Sequence, residues 1–108
     1  MNEAETMSRA LELLRNRGWI KGSAATREGI CAGYAITFAC GAGKGDFALA
    51  LCEDYLSVAR ELFPDHPTTH MAWYRVFHFN DWPDTTREMV EQVFEKCILR
   101  AEESEASR

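Results

Sequence analysis

An excess of positive charge and long apolar runs are what this chain of 108 residues lacks, and its prolines are few. Twelve Lys and Arg against 17 Asp and Glu leave a formal charge of −5, without the broad positive footprint that nucleic acids or anionic membranes require. The longest charge-free run, Ile30 to Gly43, has 14 residues and three glycines, whereas a membrane span takes about 20 apolar ones. Neither a membrane nor a nucleic-acid partner is therefore expected. The four cysteines, at 31, 40, 52 and 97, form no C-x-x-C pair, and they read as the reduced thiols of a cytoplasmic protein. Of the three histidines, His66 and His70 are separated by Pro67, and no recognisable zinc pattern includes His78. No serine sits in a G-x-S-x-G elbow. The expectation is a non-enzymatic protein with no metal site and no cofactor.

What is present, 46% hydrophobic and 27% charged residues, describes one soluble globular domain. The expected fold is all-α, a compact bundle of four to five helices with short loops over residues 1–108. Its ordered core spans about 3–103, and the polar tail beyond is expected to fray. Met7, Ala10, Leu11 and Leu14 recur at helical spacing in a first helix, 3–17, which Gly18 ends. A second helix is predicted over about 27–41, packing Cys31, Tyr34, Ala35 and Phe38, with Gly29 and Gly33 marking close approach of another backbone. Asp46 suits the N-cap of a third helix that ends near Phe63 and buries Phe47, Leu51, Tyr55, Val58 and Leu62. A short helix is predicted from Thr68 to His78, then a turn at Asn80–Pro83. A final helix opens on a Thr85/Glu88 capping box and carries the stripe Val90, Val93, Phe94, Cys97, Ile98 and Ala101.

Two features bear on function. Trp73, Tyr74, Phe77, Phe79 and Trp82 fall within ten residues, too many large rings for a small core to enclose easily. Trp and Tyr are common interface anchors, so Trp73, Tyr74, Arg75, Phe77 and Trp82 are the candidate protein-binding residues. The acidic last helix would favour a basic partner, since residues 81–108 hold eight acids and four bases. The second feature is the turn Gly41–Gly45. Its Gly43, Lys44 and Gly45, with the basic stretch Arg15–Arg27, are secondary candidates for a small ligand or nucleotide. The turn departs from a Walker loop, because Phe38 stands where the first glycine belongs and Gly45 where Ser or Thr belongs.

Two segments carry a resemblance. The first is Gly18-Trp19-Ile20-Lys21-Gly22, with Ala25, Arg27 and Gly29-Ile30-Cys31-Ala32-Gly33. The second is Phe79-Asn80-Asp81-Trp82-Pro83-Asp84-Thr85-Thr86, with Val90, Phe94 and Cys97. Together they resemble the W-x-x-G…G-x-C…(F/W)-N-D-x-P-x-T pattern of an uncharacterised family of small helical proteins from actinobacteria and their phages. The resemblance implies a compact helical domain with a structural signature of Trp19, Cys31, Asn80, Asp81 and Thr85, and a phage or prophage origin. It transfers no activity. The leading expectation is a protein-binding domain that binds or inhibits a host factor; the alternatives are a small-ligand or nucleotide-binding domain and a self-assembling homodimer.

Overall fold

Helix α1, Glu3–Arg17, starts where the Asn2 side chain accepts the Glu5 N–H at 2.8 Å and stops at Gly18. A computed structural model describes residues 2–71 and 75–107. The chain is all-α apart from one small hairpin: α2 is Ala32–Cys40, α3 Gly45–Leu62, α4 Val76–Asp81 and α5 Arg87–Ala106. The predicted stripe of α1 is fully inside and faces α2 and α5. At the centre, Tyr55 of α3 meets Phe94 of α5 and Phe79 of α4 edge-on, with centroids 5.0 and 6.2 Å apart. Val90 and Val93 complete this part of the core.

The region expected to begin the second helix instead forms a hairpin, β1 (Ala25–Thr26) against β2 (Gly29–Ile30). The reason is steric. Ile30 N–H donates to the Gly18 carbonyl at 2.9 Å, and a Cβ on Gly29 would lie 2.3 Å from that same oxygen. The close approach predicted for Gly29 is therefore backbone against backbone, but in an extended segment. Only then does α2 begin, capped by the Cys31 sulfur, which accepts the Tyr34 N–H at 3.3 Å.

Helix α2 is also turned relative to its predicted face. Small residues, Ala32, Ala35 and Ala39, are buried with Ile36, while Tyr34 is only half-buried and Phe38 is exposed. Phe47 is likewise only partly buried, and Leu62 leaves 37% of its surface exposed. Asp46 lies within the first turn of α3, near the positive end of the helix dipole, and does not cap it; Lys44 precedes the helix without a side-chain cap bond.

The helix predicted from Thr68 to His78 is divided. A 3-10 turn covers Pro67–His70, and α4 starts at Val76. Asn80 and Asp81, expected in a turn, are the last residues of α4. Thr86, rather than Thr85, caps α5 by accepting the Met89 N–H at 3.2 Å. Thr85 is buried and bonded to His66. Helix α5 continues past Glu103 to Ala106, where Asn2 Nδ2 donates to Glu105 at 3.3 Å and ties the two ends of the chain together.

Candidate functional site

Helix α2 contains no charged residue in its nine positions. Its inner side is satisfied by the core, so Tyr34, Thr37 and Phe38 remain on an outer side that is apolar too. Helix α3 repeats this arrangement. Besides the buried series Leu51, Tyr55 and Val58, it carries Leu49, Cys52 and Leu56 at i, i+3 and i+7, a second apolar stripe beside the first. The two outer faces meet the first turn of α4, where Val76 and Phe77 follow Arg75.

A groove of about 480 Å³ lies between these three helices. Gly33, Tyr34 and Thr37 line it from α2, the second stripe lines it from α3, and Arg75, Val76 and Phe77 line it from α4. Gly33 meets the Val76 side chain rather than another backbone, contrary to expectation, and a Cβ there would be in ordinary van der Waals contact at 3.6 Å. A second hollow of about 400 Å³ adjoins it through Tyr34 and Thr37 and reaches Phe38, Gly41 and Ala42. Tyr34 and Phe38 stack along this shelf with centroids 6.0 Å apart. Phe38, Leu49 and Phe77 are 50, 52 and 53% exposed, Leu49 and Phe77 lining the groove and Phe38 the hollow that adjoins it. Such a concentration of apolar surface is the usual mark of an interaction site.

The charges at the groove are few. Glu53 and Arg75 both line it, and neither takes part in an ion pair among the described residues. The thiols are muted. Burial raises the Cys31 pKa, and burial, with Cys40, Cys31 and Glu53 nearby, pushes Cys52 up to about 11. Both therefore remain protonated near neutral pH and act as apolar lining rather than as nucleophiles. Cys97, in the core, is pushed by burial to about 12.

The signature residues of the sequence form a different kind of site. Asn80 is fully buried and makes four hydrogen bonds. Its Oδ1 accepts from the Trp19 indole at 2.6 Å and from Ala32 N–H at 2.9 Å; its Nδ2 donates to the Ile20 carbonyl and to Asp81, both at 2.9 Å. Asp81 in turn accepts the Gly22 N–H at 3.0 Å. Lys21 donates to the Trp82 carbonyl at 2.7 Å and lies over the Trp19 ring. Asn80 and Asp81 thus fasten the 19–22 segment and the start of α2 to the end of α4. Close by, His66 Nδ1 is bonded to Thr68 and Nε2 to Thr85 at 2.8 Å. Because the Thr68 backbone N–H can only donate, Nδ1 is the acceptor and Nε2–H donates to Thr85. These polar groups are engaged with one another, which is how buried polar groups hold a fold.

The candidate protein-binding residues separate. Arg75 and Phe77 line the groove, whereas Trp82 is half-buried on the polar junction, its ring 6.2 Å from that of His66. Trp73 and Tyr74 lie outside the described residues. Lys44 borders a separate hollow with Thr6, Ala39, Cys40 and Phe47, while Gly43 and Gly45 have open space around them. No residue of the Arg15–Arg27 stretch reaches that hollow. Arg15 instead pairs with Glu91 and Glu95, Arg17 bonds the Thr26 carbonyl, and Lys21 is held at the junction.

Sequence reasoning missed Leu49, Leu56, Tyr34 and Thr37 as groove residues. The available signals were the second stripe of α3 and the absence of charge from α2. Among the described residues, no group of three or more His, Cys, Asp or Glu is placed to hold a metal, and no helix is long and apolar enough to cross a membrane.

No curated protein and no solved structure matches the chain. A family model does match, over residues 1–100, and the chain belongs to that family, the family of unknown function DUF6197.

Proposed function

We propose that this chain is a non-enzymatic protein-binding domain of the cytoplasm whose groove between α2, α3 and α4 receives an apolar segment of a partner. One observation carries this reading: Leu49 and Phe77, each about half exposed, line the groove beside an uncharged α2 whose half-exposed Phe38 borders the adjoining hollow. Grooves of this kind accept an amphipathic helix or a row of apolar anchors, with affinity set by a few well-placed side chains. Arg75 and Phe77 serve as contacts within this reading. A host factor bound or inhibited by a phage or prophage protein is the other occupant this reading admits, on the sequence resemblance.

The test compares partner capture by the wild type, Phe77→Asp, Leu49→Asp and Leu99→Asp. Leu99 is 54% exposed on α5 and does not line the groove, so its variant controls for adding a charge to an exposed apolar position. The expected result is one stoichiometric partner retained by the wild type and Leu99→Asp and lost by both groove variants, all four having the same helical content. Retention by the groove variants would overturn the proposal.

A further inference from the structure

We infer that the groove's partner is a second copy of this chain, packed across a two-fold axis that sets Arg75 of each copy against Glu53 of the other. The inference rests on the groove reading above and names its occupant.

Charge supplies the main argument. At a net charge of −5, two copies repel over most approaches. The α2, α3 and α4 face is different, because α2 is uncharged and the groove carries one acid, Glu53, and one base, Arg75. Like-charge repulsion is therefore absent where the apolar side chains are exposed. The two charges also have no ion-pair partner within the chain among the described residues. An interface related by a two-fold axis must complement itself, so that each contact from one copy to the other occurs twice. One acid and one base on a single apolar groove meet this condition, and two cross-pairs form at once. A partner of one predominant sign would leave one of these two charges opposed.

The shape of the face agrees with the charge. The Tyr34–Phe38 stack extends the apolar face into the neighbouring hollow.

The test is sedimentation of the full chain over a concentration series from low to high micromolar. The wild type is expected to pass from monomer to dimer, and Phe77→Asp to remain monomeric. Glu53→Arg and Arg75→Glu each place like charges together, and each is expected to weaken the dimer on the order of tenfold. The double variant Glu53→Arg/Arg75→Glu restores opposite pairing and is expected to recover most of that loss. Both charge changes are at exposed positions, and helical content checks that the three variants fold. A wild type that stays monomeric throughout, or a double variant weaker than either single one, overturns the inference. A monomeric wild type that still captures another protein through Phe77 removes the second copy and keeps the groove. Indifference of both dimer and capture to Phe77→Asp removes the groove reading itself.

Discussion

Asn80 and Phe77 are three residues apart in α4 and face opposite physical situations. Asn80 has no contact with solvent and is held by four hydrogen bonds; Phe77 leaves 53% of its surface in water. The polar residues that stand out in the sequence, Trp19, Asn80 and Asp81, are engaged with one another, and their chemistry is spent on joining segments. Plain residues such as Leu49 and Thr37 form the face on which something else can act. In a small helical protein, a conspicuous polar motif is thus as consistent with architecture as with a site. Unsatisfied apolar area is the more direct sign of binding.

This contrast can be broken most forcefully at Asn80. Asn80→Ala leaves the Trp19 indole and the Ala32 N–H without their acceptor, and a loss of roughly 3 kcal/mol is expected in denaturant unfolding. A change below about 1 kcal/mol would show that the junction is not architectural. Gly29→Ala is next. Its Cβ would meet the Gly18 carbonyl at 2.3 Å, so the hairpin has to move, at a cost of about 2 kcal/mol measured the same way.

His66 sharpens the contrast through pH. Burial lowers its pKa below 6.5, with Asp84 opposing the shift. The unfolded chain therefore takes up the proton first as pH falls. Stability from this group is intact above about 6.5 and is lost from there down through the lowered native value. The unfolding midpoint should drop across that window in the wild type and remain flatter in His66→Gln. The smallest effect is expected in the groove, where Leu49→Asp and Phe77→Asp, each removing a half-buried side chain, should cost about 1 kcal/mol at most in the dilute chain. A large loss there would make these residues part of the core.

How much could be read beforehand follows the same division. Helices α1 and α5 were legible because each has one apolar stripe and one charged side, and Met7, Leu14, Val93 and Phe94 are all inside. Helix α2 was not, because it is apolar all round. Its aromatic residues looked like core, and packing chose the alanines instead, which let α1 and α3 come close. The hairpin at 25–30 depends on Gly18 meeting Gly29, a contact between distant residues that local spacing does not encode. Thr85 read as a cap because Glu88 follows three residues later, yet His66, nineteen residues before it, claims its hydroxyl. Of the candidate site, Arg75 and Phe77 were singled out by aromatic density. The α3 contribution is masked because Leu49, Cys52 and Leu56 run beside the buried series Leu51, Tyr55 and Val58.

The central claim, that binding belongs to the groove and the polar junction is architecture, is tested most directly by NMR shifts. Spectra of the labelled chain are compared free and dilute, then in complex with its captured partner or with itself at high concentration. The account predicts that Thr37, Leu49, Cys52 and Phe77 move while the Trp19 indole resonance and Asn80 stay in place. Movement centred on Trp19 or on the Gly43–Gly45 turn, with the groove unchanged, would contradict it.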